Sequence, residues 1–399
     1  MLIVGIDIAK RNHEASLVSD SGKVLGKAFS FANSNEGTDK LLKNIAKFNP
    51  NNEEVVFAME ATGHYWLALF SRLHSEGYAV HVINPIQSDS LRNFFIRKTK
   101  TDSIDSFIIA ETYRFGRFTE TTLAEPDVIA LRQLCRFRMS LVDTCSEFKC
   151  KVISLLDQVF PEYETFFSKI FGASSVALLS SCVTPEEILA VDTEKIAAIL
   201  KKASRGYFGI NQACLIKDAA AKSFGVKIAA DVFAYQIRKL LELIAFTEKQ
   251  LSELDEKIAS YYRMFGCTID TIPGVGEVTA PIIFSEIGDI TRFSAPEKLV
   301  AFAGIDPSVR QSGNFVGTKN KMSKRGSPHL RRAVLLAAFA SSFNDPVLSA
   351  FYKKKRAEGK LHYVAVGAVA RKLLHIIFAL MKSGKVYDPN YSRIPQFSS

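Results

Sequence analysis

The chain has 399 residues, a formal net charge of +10 and a pI near 9.2. Its length allows two or three domains, and its basic balance indicates a polyanionic partner such as nucleic acid. The six cysteines form no C-x-x-C pair, which argues against a zinc site. The apolar stretch 364–380 contains Arg371, Lys372 and His375, so we expect no membrane span. Because the N-terminus also lacks the basic start of a signal peptide, we expect a cytoplasmic protein.

The first 120 residues alternate between strand and helix patterns. Apolar runs predict strands at 2–8, 13–18, 23–31, 54–59 and 78–83. Helical patterns predict helices at 34–48, at about 64–76 and from about 101 onwards. Three strands, helix, strand, helix and strand is the order of an RNase H-like α/β fold, although several other α/β folds share such an alternation. We predict an RNase H-like domain over residues 1–120.

From residue 128 the apolar periodicity becomes helical. Apolar residues recur with a helical, largely seven-residue periodicity over 128–159, and again over 237–258 at alternating steps of three and four with one seven-residue gap. This pattern predicts two long helices that form an antiparallel coiled coil or a dimer contact. A helix start at Thr184 lies between them, so we expect a small helical insert near 164–226. We assign 121–265 to this coiled-coil arm and 266–399 to a mainly α C-terminal domain.

The C-terminal domain opens on a glycine-containing turn, Ile-Pro-Gly-Val-Gly at 272–276, followed by an apolar helix. The turn is similar to a helix-hairpin-helix element, in which backbone N–H groups bind a phosphate. A simple turn between packed helices accounts for it equally well. The chain has no Walker A motif and no complete G-x-G-x-x-G motif, so nucleotide hydrolysis has no support.

Four acidic residues stand out by their positions in the predicted elements. Asp7 lies inside an apolar strand, where a carboxylate is costly without a partner, and Glu60 follows the strand at 54–59. Asp102 and Asp105 are three residues apart, so they share one face of a helix. Each alone could cap a turn or face solvent, but in an RNase H-like fold these elements converge. Gathered carboxylates require cations, and their oxygens suit Mg²⁺ or Mn²⁺, which support phosphoryl transfer.

A second candidate site lies between residues 308 and 332, a segment rich in lysine and arginine that contains no acid. Such a cluster is expected to contact phosphates. The candidate nucleic-acid-binding residues are Arg310, Lys319, Lys321, Lys324, Arg325, Arg331 and Arg332. Ser312 precedes a glycine within the cluster. A Ser-Gly pair is usually only a turn, but a hydroxyl among cations can also attack a phosphodiester.

As an ordered set, these motifs closely resemble the DEDD transposases of bacterial insertion sequences, whose members move DNA with a guiding bridge RNA. The N-terminal matches are Gly-Ile-Asp at 5–7, Glu-Ala-Thr-Gly-His-Tyr at 60–65, Val-Ile-Asn-Pro at 82–85 and Lys-Thr-Asp-Ser-Ile-Asp at 100–105. The C-terminal matches are the turn at 272–276, Phe-Ala-Gly-Ile at 302–305, Gln-Ser-Gly at 311–313, Met-Ser-Lys-Arg-Gly at 322–326 with Leu-Arg at 330–331, and Arg-Lys-Leu at 371–373. They cover roughly 1–120 and 268–382.

The resemblance implies a RuvC-like domain that holds a divalent metal through Asp7, Glu60, Asp102 and Asp105. It also implies that Ser312 is a nucleophile that forms a covalent phosphoserine with one DNA strand. The implied partners are donor and target DNA, a bridge RNA and further copies of the chain in a dimer or tetramer, in which one subunit's RuvC-like domain meets another's serine domain. The insert near 164–226 makes the middle longer than in compact members.

Two other functions fit the same residues. One is a RuvC-like, metal-dependent junction resolvase or nuclease, in which Ser312 is only part of a turn. The other is an inactive scaffold that binds DNA or RNA. The four carboxylates argue against the scaffold, because an inactive fold has no physical need to gather like charges.

Overall fold

The structure, a computed structural model, describes residues 1–61, 63–83, 85, 88, 91, 102–116, 125–307, 311–312, 315–316 and 321–390. For residues 102, 311, 312, 315 and 316 it describes the backbone but not the side chain. The chain divides into two units, Met1–Leu123 and Ala124–Ser399. The division into domains at 1–120, 121–265 and 266–399 stays a prediction.

The first unit is built on one mixed sheet of five strands. They are β1 Leu2–Asp7, β2 Asn12–Ser19, β3 Phe29–Ala32, β4 Val55–Glu60 and β5 Ala79–Ile83. Their order is β3-β2-β1-β4-β5, with β2 antiparallel to β1 and β3, and β4 parallel to β1 and β5. The helices are α1 Asn35–Phe48, α2 Trp66–Ser75 and α3 Asp102–Arg114. An antiparallel meander followed by two parallel strands is the RNase H-like arrangement that the sequence predicts.

The two faces of this sheet carry different cores. Because neighbouring residues on a strand point to opposite faces, the continuous apolar run of β1 is buried on both sides. Val4 and Ile6 belong to the core that includes residues of α1 and α2. Ile3, on the other face, packs with Ala110 of α3. The sheet is therefore sandwiched, and α3 covers the face on which Ile3 lies.

The third strand is shorter than the sequence predicts. The pattern at 23–31 predicts one continuous strand, but β3 begins only at Phe29. Gly26 takes a φ of +77°, a conformation that β-strands do not use. The chain therefore turns at Gly26, and Val24 makes an isolated bridge to Val18 instead of joining β3.

The second unit is helical. Its α-helices are α4 Pro126–Val159, α5 Ala173–Ser181, α6 Pro185–Ala190, α7 Thr193–Ala203, α8 Ile210–Ala221, α9 Ala230–Arg263, α10 Thr279–Ile287, α11 Pro296–Ala303, α12 Pro328–Asn344, α13 Pro346–Ala357 and α14 His362–Ser383. Short 3₁₀ helices lie at Pro161–Phe166, Ile269–Thr271 and Ile290–Arg292. Two short antiparallel strands, β6 Gln311–Ser312 and β7 Phe315–Val316, pair between α11 and α12.

The helices α4 and α9 have 34 residues each and pack antiparallel. Leu131 near the start of α4 shares a core with Ile258 near the end of α9. Leu156 near the end of α4 shares a second core with Ile237 near the start of α9. The two long helices are present, whereas the supercoil of a true coiled coil stays a prediction.

The insert between these helices has its own packing. The residues of α5 to α8 that are buried contribute to the second of the two cores, together with the adjoining ends of α4 and α9. Thr184 caps α6 as predicted, because its Oγ1 accepts a hydrogen bond from the Glu187 backbone N at 3.2 Å. The Glu187 carboxylate in turn accepts from the Val183 backbone N at 2.7 Å and pairs with Arg238 of α9 at 2.6 Å. The ion pair ties the insert to the long helix.

The helix α14 has the length and apolar character of a membrane span. However, 61% of its most apolar 18-residue window is buried within the fold. Leu373, Leu374 and Ile377 are fully buried members of the core of this unit. The apolar character of α14 is therefore that of a core helix, and α12 and α13 pack against it.

The turn at 272–276 packs against α12. Gly274 takes a φ of +99°, and a Cβ placed there would lie 2.4 Å from the Ser341 backbone N. The turn follows the 3₁₀ helix Ile269–Thr271 and precedes α10. Close packing on α12 accounts for this glycine, and a phosphate-binding helix-hairpin-helix stays a prediction.

A buried carboxylate, Glu286 at the end of α10, joins three parts of the second unit. It is 3% exposed. Arg136 of α4 donates to it from Nε at 2.6 Å and Nη2 at 3.1 Å, and Ser327 donates from Oγ at 2.8 Å. Ser327 also caps α12 by accepting from the Leu330 backbone N. Burial would raise the pKa of Glu286, but these hydrogen bonds and the charges of Arg136 and Arg132 lower it overall.

We expect Glu286→Gln to lower the thermal midpoint of the second unit near neutral pH by about 3–8 °C, because charge-assisted hydrogen bonds are lost in a buried site. The folded-state pKa lies below its ordinary value of 4.5, so this stabilisation is present above pH 4.5 and is lost as the pH falls through the folded pKa. The gap between wild type and variant should therefore narrow below pH 4.5. Scanning calorimetry at a series of pH values measures this difference in thermal midpoint. The control is Glu253→Gln, which changes an exposed carboxylate on α9. A difference that does not vary with pH would contradict a lowered pKa of Glu286.

Candidate catalytic site

Three carboxylates line one edge of the sheet in the first unit. Asp7 and Glu60 are the last residues of the adjacent parallel strands β1 and β4. Ile6 pairs with Met59, so Asp7 and Glu60 occupy the next step of that ladder. Asp7 is also paired with Glu14 of β2. Residues directly across from each other on neighbouring strands share a face, so these carboxylates lie on the same side of the sheet.

That side of the sheet is the one covered by α3. Gly5 and Asp7 are two residues apart on β1 and therefore share a face. A Cβ at Gly5 would lie 2.1 Å from the Ser106 carbonyl oxygen and 2.6 Å from the Ala110 backbone N. Since both obstacles are backbone atoms of α3, any larger side chain would push the helix off the strand. Gly5 thus sets how close the first turns of α3 come to the edge that carries Asp7.

Ser16 fixes the start of α3 on the sheet. It is the β2 partner of Gly5, and its Oγ lies 2.7 Å from the Ser106 Oγ in a buried contact. It also donates to the Ser103 carbonyl oxygen at 3.4 Å. Asp105 lies between these two anchored residues and is 6% exposed. The start of α3 therefore brings a buried carboxylate to the face that carries the other three.

Glu60 is oriented by a buried serine. The Ser88 Oγ donates to Glu60 Oε2 at 2.7 Å. Ser88 is fully buried, and its Oγ also lies 3.0 Å from the Pro85 carbonyl oxygen. A hydroxyl held in this way restricts the rotation of the Glu60 carboxylate, so the chain that follows β5 positions a side chain at the end of β4.

The donors suit a hard divalent cation, because Asp7, Glu60 and Asp105 all offer carboxylate oxygens. Asp102 begins α3 within the same helical turn as Asp105, but the structure describes only the backbone of Asp102. Among the residues that the structure describes, no three His, Cys, Asp or Glu side chains are grouped closely enough to hold a metal ion. The elements therefore converge as predicted, while a closed set of ligands stays a prediction.

The predicted nucleophile, Ser312, lies in β6 and pairs with Phe315 of β7. Its side chain is outside the description. Pro307 and Met322, which lie before and after these strands, form an isolated antiparallel bridge. Ser312 therefore belongs to a segment whose two ends are held together at 307 and 322.

The far end of this segment is fixed to α11 by backbone contacts. Lys324 donates its backbone N–H to the Gly304 carbonyl at 3.1 Å, and Ser327 donates to the Phe302 carbonyl at 2.9 Å. A Cβ at Gly326 would lie 1.8 Å from the Phe302 carbonyl oxygen. The motifs at 302–305 and 322–326 thus contact each other, and the contact requires a glycine at 326.

Three of the predicted phosphate-binding residues are exposed: Lys321, Lys324 and Arg325. They follow directly on the segment that carries Ser312, so their surface position agrees with a role in holding phosphate. Arg310 and Lys319 lie outside the described residues.

The other two predicted phosphate-binding residues are engaged within the protein. Arg331 donates to the Ala303 carbonyl oxygen at 3.3 Å. Arg332 forms a bidentate ion pair with Asp143 of α4, in which its Nη2 and Nη1 lie 2.6 and 2.7 Å from the two carboxylate oxygens. The hydrogen bond to Asp143 raises the pKa of Arg332. A phosphate would have to compete with Asp143 for Arg332, so Arg332 has a structural role that the local sequence did not reveal.

Sequence patterns did not indicate the serines that support the carboxylates, Ser16, Ser88 and Ser106. A signal was available for the first: Ser16 is a buried hydroxyl within a strand whose neighbours are apolar, opposite the one glycine of β1. Buried hydroxyls need partners, so such a position indicates a contact with another element. Ser88 offered no comparable pattern.

Comparison with known proteins gives two family matches. A DEDD transposase family of IS110 type matches residues 4–161. A transposase family described as IS116/IS110/IS902 matches residues 267–353. The first match covers nearly all of the first unit and the whole of α4, and the second runs from just before the 272–276 turn into α13.

Individual relatives match nearly the whole chain. An uncharacterized 42 kDa protein of insertion element IS900 from Mycobacterium paratuberculosis is 25% identical, over 96% of this chain and 96% of its own length. A pilin gene-inverting protein of Moraxella bovis is 23% identical, over 96% of this chain and 97% of its own length.

A structure of Thermus thermophilus RuvC in complex with a Holliday junction substrate matches 30% of this chain and 99% of that protein, at 14% identity and a TM-score of 0.23.

We expect Gly5→Ala to destabilise the first unit by about 1–3 kcal/mol, because the added methyl group overpacks against backbone atoms of α3. It should also speed amide exchange in α3 and abolish any metal-dependent activity. Hydrogen exchange by mass spectrometry, with thermal unfolding, measures the effect. Gly209→Ala is the control, since a Cβ there meets no atom within 4 Å. Unchanged exchange in α3 of the Gly5 variant would contradict the role of this contact.

Proposed function

Since the chain belongs to the DEDD transposases of IS110-type insertion elements and is a DNA-cutting and DNA-joining enzyme, we propose that it exchanges DNA strands through a phosphoserine at Ser312, aided by a metal site at Asp7, Glu60, Asp102 and Asp105. It acts on donor and target DNA. A bridge RNA guides it, and two or four copies of the chain assemble for each reaction. Its working place is the cytoplasm, where its DNA substrates are.

The observation that carries the proposal is the convergence at the carboxyl edge of the sheet. Asp7 and Glu60 end adjacent parallel strands, and the Gly5 contact brings the first turns of α3, with Asp105, onto the same face. Carboxylates brought to one face of the sheet repel each other, and a bound cation would offset that repulsion. A fold that used the carboxylates only as surface charge would not need Gly5 and the buried serines Ser16, Ser88 and Ser106 to hold the elements that carry them.

The residues proposed to hold the metal are Asp7, Glu60, Asp102 and Asp105. A bound divalent ion would supply positive charge beside the reacting phosphate. The protein's own contribution is positional: Ser88 orients the Glu60 carboxylate, and Ser16 holds the first turn of α3. Conservative changes at these serines should therefore weaken metal binding without removing a ligand.

In the proposed reaction the Ser312 hydroxyl oxygen attacks a phosphorus of the DNA backbone. A serine–phosphate ester bond forms as the serine hydroxyl loses its proton, one phosphodiester P–O bond breaks, and the released deoxyribose oxygen takes up a proton to become a hydroxyl. A hydroxyl of the partner strand then attacks the phosphoserine, which restores a phosphodiester and frees Ser312. Each step exchanges one ester for another, so no nucleotide hydrolysis is needed, consistent with a chain that lacks a Walker A motif.

Lys321, Lys324 and Arg325 are proposed to bind the DNA phosphates near this serine. Backbone contacts from 324 and 327 to α11 hold the segment in which these side chains lie. Cations close to a phosphate under attack stabilise the charge that develops on it. Their distance from Ser312 along the chain is short, so one segment carries both nucleophile and anion-binding groups.

We expect Ser312→Ala to abolish a covalent protein–DNA adduct, because the nucleophile is lost. Wild-type protein incubated with element-end DNA, target DNA, the candidate RNA and Mg²⁺ should give an adduct of reduced mobility in a denaturing gel. Asp7→Asn should also remove it, because a proposed ligand is lost, and omission of the RNA should reduce it. Ser180→Ala and Asp20→Asn, which change exposed residues, should retain it.

Cleavage without an adduct, and unaffected by Ser312→Ala, would replace the proposal with a metal-dependent nuclease or resolvase. Binding that survives both substitutions, with no cleavage in any combination of partners, would instead leave a nucleic-acid-binding scaffold. An adduct that forms equally well without RNA would remove the bridge RNA from the proposal.

A further inference from the structure

A cluster of five aromatic side chains lies on the second unit, and none of them belongs to the candidate catalytic site. This aromatic cluster consists of Phe339 and Phe343 of α12, Tyr352 of α13, and His362 and Tyr363 of α14. The ring centroids of Phe339 and Phe343 are 5.3 Å apart, those of Phe339 and His362 are 5.7 Å apart, and those of His362 and Tyr363 are 5.1 Å apart. The rings therefore form one continuous surface across three helices.

Much of this surface faces solvent. Tyr363 is 86% exposed, Phe343 62% and Phe339 48%. Leu336, which lies three residues before Phe339 and thus on the same face of α12, is also exposed. The exposed stripe of α12 therefore consists of Leu336, Phe339 and Phe343. Contiguous apolar surface of this kind marks an interaction site.

The rings are mounted on a rigid base. The Tyr352 hydroxyl and His362 Nδ1 are 2.7 Å apart and share a hydrogen bond, which fixes both rings. The three helices that carry the cluster pack together through the core of the second unit, where Leu348 and Val369 are fully buried. The exposed rings are therefore carried by packed helices, so the backbone positions from which they extend do not have to be ordered on binding.

Positive charge accompanies the cluster. The segment from Tyr352 to Tyr363 contains five cations and a single acid, Glu358. That acid is paired with Lys355 at 2.8 Å. Three further lysines of the same segment are exposed: Lys353, Lys354 and Lys360. The chain between the cluster's aromatic residues on α13 and α14 is thus strongly basic, which favours an anionic partner.

We propose that the aromatic cluster and these lysines bind an unpaired strand of DNA, with bases stacked on Phe339, Phe343 and Tyr363 and phosphates held by the lysines. Exposed aromatic rings, with exposed lysines in the connecting segment of the chain, match the two parts of a nucleotide, a base with an exposed π-face and a phosphate. Paired bases inside a duplex do not offer their faces to a protein ring. A second copy of the chain would bring like charges together, which disfavours self-association through this surface.

The commitment to DNA rests on the family's DNA-cutting and DNA-joining activity, since strand exchange leaves ends unpaired. It does not depend on the serine or metal chemistry proposed above. Binding can therefore be measured in EDTA, where no metal-dependent step occurs. A failure of this proposal would then leave the proposed reaction untouched, and the reverse also holds.

We expect the double variant Phe343→Leu/Tyr363→Leu to bind a fluorescein-labelled oligothymidine of about 20 nucleotides at least about tenfold more weakly than wild type, because base stacking is lost while apolar bulk is kept. Duplex DNA of the same length should bind equally to both proteins. Fluorescence anisotropy of the full chain at fixed salt measures each affinity. The control is Tyr235→Leu/Phe246→Leu, which removes two aromatic rings of α9 that are each 62% exposed.

A second variant tests the charges. Lys353→Gln/Lys354→Gln should weaken single-strand binding and reduce the slope of log affinity against log salt by about 0.7 for each phosphate that is no longer neutralised.

Photocrosslinking with iododeoxyuridine in the oligonucleotide should label peptides from 336–343 or 352–363. Equal reductions in affinity for single-stranded and duplex DNA, crosslinks only outside these peptides, or tighter binding of the matching single-stranded RNA would overturn the proposal. So would a change in oligomeric state in the aromatic variant.

Discussion

The close approach of α3 to β1 is the contact on which the candidate catalytic site depends. The Ser106 carbonyl and the Ala110 backbone occupy the space that a side chain at position 5 would need. Buried serines on β2 and α3 then hold the helix in register with the strand. Because Asp7 lies two residues beyond Gly5 and Asp105 one residue before Ser106, a single backbone contact governs the separation of two carboxylates. Electrostatic repulsion opposes this convergence, and the packing of α3 holds the groups in place.

A similar use of buried polar groups organises the second unit. Glu286 lies at the junction of α4, α10 and the cap of α12, and Gly326 lets the basic segment approach the backbone of α11. The segment that carries Ser312 thus ends on a rigid base. In both units, glycines and serines support the residues proposed for chemistry: Gly5, Ser16, Ser88 and Ser106 in the first unit, and Gly326 in the second.

Much of the fold could be predicted from local patterns. The strands β1, β2, β4 and β5 follow apolar runs, and the two long helices follow apolar periodicity. The carboxylates stand out because acids are rare at strand ends within apolar runs. The exact start of β3 depends on the conformation of Gly26, and the pairing of Arg332 with Asp143 joins residues far apart in the chain. Such contacts depend on three-dimensional packing, so no local pattern predicts them. The role of Ser312 came from resemblance and stays a prediction.

The most direct measurement of the central claim is iron-mediated cleavage of the protein backbone. Fe²⁺ can occupy oxygen-ligand sites that suit Mg²⁺, and with ascorbate and peroxide it generates hydroxyl radicals that cut nearby peptide bonds. We predict cuts close to residues 7, 60 and 102–105, suppressed by excess Mg²⁺ and absent in Asp7→Asn. Cuts confined to other parts of the chain, or cuts that Mg²⁺ does not suppress, would contradict a metal site at the carboxyl edge of the sheet.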